Sequence, residues 1–170
     1  MLKIFNELKP FFEDNYRRIG VREYARLQKI TPPTGSEILK KYYKEGLLKK
    51  ERDGKRVLYF ANKENKVFID LSRIYWYIRF QKIGLMEYLN QKLLTPVVIL
   101  FGSFSKAEVS EKSDIDLAVF VPKKKKIDLS GFEKRLKRKI QVFMFEKREE
   151  IKNPELLNNI LNGYLLSGGW

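Results

Sequence analysis

Residues 97–120 read VVILFGSFSKAEVSEKSDIDLAVF, and this stretch decides the fold. An apolar run ends in Gly102-Ser103, ten residues follow, and a second apolar run opens with Asp114-Ile115-Asp116. Side chains alternate faces along a strand, so Asp114 and Asp116 point the same way while Ile115 and Leu117 point into the core. Two like charges on neighbouring same-face positions repel, and aspartate is a poor strand former. A divalent cation explains the placement. Magnesium takes one or two carboxylates and leaves its other positions to water and to substrate phosphates. Gly102 lets the backbone come close to a phosphate, and the Ser103 hydroxyl and amide can hydrogen-bond it. The pieces make a metal-nucleotide site, with Asp114 and Asp116 as metal ligands and Gly102 and Ser103 as nucleotide contacts.

Val98-Ile99-Leu100-Phe101-Gly102-Ser103 followed by Ser113-Asp114-Ile115-Asp116-Leu117 resembles the signature of the polymerase-beta-type nucleotidyltransferases, in their short form called minimal nucleotidyltransferase domains. The resemblance implies Mg2+ and a nucleoside triphosphate, ATP, as cofactors, with Asp114, Asp116 and Ser103 in the catalytic roles. In active members a third carboxylate on a later strand completes a second metal site and helps prepare the attacking hydroxyl. The matching strand here is Lys139-Ile140-Gln141-Val142-Phe143-Met144-Phe145, and the position for that carboxylate holds Gln141. A neutral amide is a weaker magnesium ligand and no base. Glu146 follows the strand rather than sitting inside it.

The chain has 170 residues, enough for one ordinary domain or two small ones, and 35 Lys and Arg against 21 acidic residues give a net charge of +14. The excess is distributed: 17 basic against 9 acidic residues up to Lys66, and 18 against 12 beyond it. Such a balance favours a polyanionic partner. The absence of Cys and His removes disulfides, the usual zinc sites, thiol catalysis and imidazole acid-base chemistry. The first residues lack the apolar core of a signal peptide, and no apolar run approaches the roughly 20 residues of a membrane span. A cytoplasmic protein with no membrane partner is expected.

Up to about Ala61 the pattern predicts helix, helix, helix, hairpin. Leu2, Phe5, Leu8 and Phe12 recur at helical spacing, Ile19-Gly20 breaks the chain, and Val21, Tyr24, Ala25 and Leu27 open a second helix. Thr31-Pro32-Pro33-Thr34-Gly35-Ser36 is expected as a tight connection whose Ser or Thr caps the next helix. That third helix places Ile38, Leu39 and Tyr42 on one side and Lys40, Lys41 and Lys44 on another, and Gly46 ends it. Strand-like runs on either side of Asp53-Gly54 then predict a two-residue hairpin. This order resembles a winged helix-turn-helix DNA-binding domain, in which the third helix enters the major groove and the wing touches backbone or minor groove. The resemblance implies double-stranded DNA as a partner, with Thr34, Ser36, Lys40, Lys41 and Lys44 facing it and Arg52, Lys55 and Arg56 on the wing.

Residues 67–94 carry Phe68, Leu71, Tyr75, Ile78, Leu85 and Leu89 at helical spacing and are expected as one connecting helix, either wedged between domains or forming a homodimer seam. Lys123 to Lys126 form a block of four cations, read as a solvated loop or as a phosphate contact near the site. Phe132 to Arg138 predict a short basic helix. Asn153-Pro154 starts another, with Leu156, Leu157, Ile160 and Leu161 on its apolar face. The tail resembles that of archaeal regulator-like proteins in which a winged helix is fused to this kind of transferase domain. The expected fold class is therefore α+β: a winged helix-turn-helix at 1–66, a connecting helix at 67–94, and at 95–170 a nucleotidyltransferase-type mixed sheet with flanking helices. The implied function is a DNA-binding transcriptional regulator whose transferase-like domain binds nucleotide and magnesium with weak transfer or none. The alternative is an active transferase moving AMP from ATP onto a protein acceptor, as in toxin-antitoxin pairs.

Overall fold

The computed structural model describes residues 2–169 and divides the chain into two units, Met1–Ser72 with Ala107–Glu111 and Arg73–Lys106 with Lys112–Trp170. Both mix helices and strands, so the chain is α+β.

In the first unit the opening helical pattern is cut in two. Helix α1 (Lys3–Glu7) ends at Leu8, and α2 (Lys9–Glu13) starts afresh with Pro10 in its first turn. Proline has no N–H to continue the first ladder but is tolerated where a new helix begins. Ile19–Gly20, expected only as a break, is a strand (β1), and it is followed by α3 (Val21–Gln28). Helix α4 (Pro32–Lys44) begins earlier than expected. Thr31 is its N-cap, accepting from the Thr34 N–H at 3.4 Å, so Pro32 to Ser36 are helical and not a connection.

Strands β2 (Leu48–Asp53) and β3 (Arg56–Ala61) form the hairpin, with β1 added antiparallel to β3, giving the order β1-β3-β2. Asp53 pairs with Arg56, so the two-residue turn is Gly54-Lys55, one position later than expected. Gly54 has φ +57° and stands first in the turn, where a II′ hairpin places glycine. The core is aromatic. Phe12 packs on Phe68 with ring centroids 5.2 Å apart, and the Tyr42 hydroxyl donates to the buried Glu7 carboxylate, tying α4 to α1. Segment Ala107–Glu111 folds with this unit through Asn15, which is 1% exposed. Asn15 Oδ1 accepts from the Val109 N–H at 2.7 Å, its Nδ2 donates to the Phe11 carbonyl at 2.7 Å, and its own backbone N–H donates to the Val109 carbonyl at 2.8 Å.

Residues 67–94 are two helices and not one: α5 (Lys66–Lys82) and α6 (Leu85–Leu93), separated at Gly84, whose φ is +77°. The division between the units falls within α5. Phe68, Tyr75, Trp76 and Phe80 are buried within the chain.

The second unit continues with β4 (Val97–Phe101), α7 (Ser103–Lys106), β5 (Ile115–Phe120), α8 (Ser130–Leu136), β6 (Ile140–Phe145), a 3-10 turn at Arg148–Glu150, α9 (Pro154–Leu161) and β7 (Tyr164–Ser167). Its sheet has the order β6-β5-β4-β7 and is mixed: β4 is antiparallel to β5 and β7, whereas β6 is parallel to β5 by way of α8. Strand β7 was not legible in the sequence. One face of the sheet packs Ile99, Phe101, Ala118 and Phe120 with Phe143, Phe145, Leu156, Leu157 and Ile160. Leu161, expected on the same apolar face of α9, is instead 50% exposed, because it lies a quarter turn past Ile160.

Candidate functional site

Strand β4 ends at Phe101, directly opposite Asp116 on β5, and β6 places Gln141 beside Asp116 on the other side. Paired residues share a face, so Phe101, Asp116 and Gln141 form one row across the sheet. Asp114 stands one residue before β5, two positions from Asp116 and on the same face. Gly102-Ser103 turns the chain from β4 into α7 at the end of this row. Four of the sequence-expected residues, Gly102, Ser103, Asp114 and Asp116, are thus assembled at one end of one sheet.

The turn requires glycine for two reasons. Gly102 has φ +67°, in the left-handed region, and a Cβ built there would overlap Asp116 Oδ2 while lying 3.3 Å from its Cγ. The Asp116 carboxylate therefore rests against the turn. Burial, and next the Asp114 charge, raise the Asp116 pKa above its ordinary value. A cation would relieve that repulsion. Among the described residues no cluster of three or more His, Cys, Asp or Glu is positioned for a metal. Two same-face carboxylates nevertheless fit the donor set that magnesium accepts when water and phosphate complete its shell.

Gln141 occupies the place expected for a third carboxylate, and its Nε2 donates to Asp114 Oδ2 at 2.8 Å. Glu146 lies past the far end of β6, where its backbone N–H donates to Glu150, and so takes no part.

Arg138 was not singled out from its basic neighbours in the sequence. Its Nη1 donates to the Ser113 carbonyl at 3.0 Å, and its guanidinium lies 5.4 Å from the Phe104 ring centroid and 5.6 Å from that of Trp76. One cation therefore holds the residue before Asp114 against the residue after Ser103. Sequence could not separate it from Lys137 and Lys139, because its role depends on contacts with distant aromatics. Strand β5 puts about 20 Å between Asp114 and Phe120 at 3.3 Å per residue, and the block Lys123 to Lys126 follows that far end. That corrects the reading of these lysines as a phosphate contact near the site. Lys124 pairs with Glu150 at 2.6 Å.

In the first unit, Lys40, Lys41 and Lys44 are exposed on α4, and Arg52, Lys55 and Arg56 are exposed at the hairpin tip. Helical geometry puts Ser36, Lys40 and Lys44 along one side of the outward face. Tyr43 flanks that side, 39% exposed, with Lys50 of β2 4.2 Å from its ring centroid. Thr34 and Lys41 fall toward the other flank. Thr34 is engaged at the helix cap, its hydroxyl 2.9 Å from that of Thr31, and Lys41 Nζ lies 5.0 Å from the Tyr42 ring centroid. Arg22, Lys55 and Arg56 line a cleft of about 660 Å³ between α3 and β3, which adds Arg22 to the cationic surface.

No helix among the described residues is long and apolar enough to cross a membrane. Comparison with curated proteins and with solved structures finds no match. Residues 84–166 match the family model described as polymerase beta, nucleotidyltransferase. The match takes in α6, the Gly102-Ser103 turn, the aspartate pair and the Gln141 strand, so this chain carries a nucleotidyltransferase-type domain over residues 84–166.

Proposed function

We propose that this chain is a DNA-binding transcriptional regulator of the winged helix type, whose nucleotidyltransferase-type domain binds a nucleoside triphosphate, ATP, with Mg2+ and transfers slowly or not at all. The observation that carries the DNA part is the segregation of charge in the first unit: Lys40 and Lys44 on the outward face of α4, with Arg52, Lys55 and Arg56 at the hairpin tip, are all exposed. A basic helix beside a basic hairpin suits a major groove and the adjoining phosphates. In the second unit Asp114 and Asp116 would hold the cation, and Ser103 with the Gly102 backbone would bind the outer phosphates. Magnesium there would neutralise phosphate charge. Gln141 supplies neither the charge nor the base that fast transfer to an acceptor hydroxyl needs.

A mobility-shift titration of DNA from the chain's own promoter region tests the reading. The Lys40→Ala/Lys44→Ala protein should bind more weakly, and the log-log salt slope should become shallower by about 0.9 for each phosphate that is no longer neutralised. Unchanged binding would remove the groove-helix assignment. The second reading, AMP transfer to a protein acceptor, is favoured by the intact pair of aspartates beside Ser103. Labelled ATP with candidate acceptors decides it: equal labelling by the wild type and by the Asp114→Ala/Asp116→Ala protein would sink it.

A further inference from the structure

We propose that the aspartate site accepts one divalent cation with its nucleotide and not two, because the Gln141 amide stands on the flank of Asp114 where a second cation would be coordinated. This rests on the nucleotide reading above and goes further by fixing the number of ions and the residue that sets it.

One oxygen of each aspartate is hemmed in by a neighbour, Asp116 Oδ2 by the backbone of Gly102 and Asp114 Oδ2 by the amide of Gln141. On the β4 side, Asp116 Oδ2 rests against the Gly102 turn, where even a Cβ would not fit. On the β6 side, Asp114 Oδ2 accepts from Gln141 Nε2 at 2.8 Å. An N–H and a cation compete for the same lone pairs, so the oxygens best placed for a shared ion are the remaining one of each carboxylate. Two-metal sites hold their ions roughly 4 Å apart, so a second ion on the flank of Asp114 needs a protein ligand there besides the shared carboxylate. No free carboxylate is available on the β6 side. The positions of β6 facing the same way as Gln141 are Phe143 and Phe145, and Lys139 precedes them. The nearby Glu133 is occupied, its Oε1 accepting from the Ile140 N–H at 3.0 Å and its Oε2 lying 3.5 Å from Lys139 Nζ. Rotating the Gln141 amide would offer only a neutral oxygen. With the nucleotide's phosphates completing the shell of the ion between the two carboxylates, a second dication beside Asp114 would find no free protein carboxylate of its own.

A single exchange should restore the second place. Gln141 is exposed, so a carboxylate there carries little packing cost. The test is Mn2+ binding to the full chain, counted by electron paramagnetic resonance in the presence of a non-hydrolysable ATP analogue. The wild type should bind one Mn2+ per chain, Gln141→Ala also one, and Gln141→Glu two, with Gln141→Asp as a second carboxylate variant. Two ions on the wild type would overturn the proposal. So would one ion on both carboxylate variants when their thermal unfolding matches the wild type. If neither ion nor analogue binds to any of the proteins, the nucleotide reading itself falls and this inference falls with it.

Discussion

Replacing Gly102 by alanine perturbs the backbone and the aspartate pair at once, and the two effects can be separated. Holding a residue with a Cβ at the left-handed φ of +67° costs about 1–2 kcal/mol. The new Cβ overlaps Asp116 Oδ2 but lies 3.6 Å from Asp116 Cβ, an ordinary contact, so the conflict is with the carboxylate alone. Turning that carboxylate off its rotamer adds about 0.5–1.5 kcal/mol. Gly102→Ala should therefore destabilise the second unit by about 1.5–3.5 kcal/mol, the sum of these two contributions. Gly84 is the control: it has φ +77°, and a Cβ there meets nothing within 4 Å, so Gly84→Ala should show only the backbone share. In the Gly102→Ala/Asp116→Ala protein the excess over Gly84→Ala should vanish. Urea unfolding followed by Trp76 fluorescence in a Trp170→Phe background reports on the second unit. If Gly102→Ala is no more costly than Gly84→Ala, the Asp116 carboxylate does not rest on the turn and the site geometry is wrong.

Three other outcomes are expected. Asp116 has a folded-state pKa raised first by burial and then by Asp114, so its share of stability is present below its unfolded value of about 3.9 and is lost as pH rises through the folded value. Asp116→Asn should accordingly stabilise the chain to urea at pH 7, and the gain should shrink on acidification. Asn15→Ala strips the Val109 N–H and the Phe11 carbonyl of their partners and should destabilise the first unit by about 1–3 kcal/mol, with faster hydrogen exchange at the Val109 amide. Lys50→Ala frees Tyr43 on α4 and, on the DNA reading, should weaken DNA binding in a mobility-shift titration without altering Mn2+ binding.

The site was more legible than the elements around it. Gly102, Ser103, Asp114 and Asp116 lie within fifteen residues, and their spacing reports a turn and a same-face pair that follow from strand geometry alone. The hairpin was placed one residue early, because Asp53-Gly54 and Gly54-Lys55 both satisfy local turn preferences and only the cross-strand pairing of Asp53 with Arg56 selects between them. The break in the first helix was written in Pro10 but masked by the steady spacing of Leu2, Phe5, Leu8 and Phe12. Strands β1 and β7 were missed for a common reason: Ile19–Gly20 and Tyr164–Ser167 are too short to show a period and become strands through their partners β3 and β4.

By itself the sequence determined that a Gly-Ser turn and two carboxylates would meet on a strand, that the third acidic position would hold Gln141, and that both parts of the chain would be cationic. The turn, the carboxylate pair and the charge are properties of spacing, composition and period-two alternation, which act over a few residues, while the place of a third carboxylate is what the resemblance to the nucleotidyltransferases implies. The tertiary structure alone decided that the Gln141 amide bonds Asp114, that Arg138 braces Ser113 against Phe104, and that Asn15 draws Ala107–Glu111 into the first unit. The hydrogen bonds among these join groups 25 to 94 residues apart in the chain, and their geometry exists only after the sheet register and the helix packing are set.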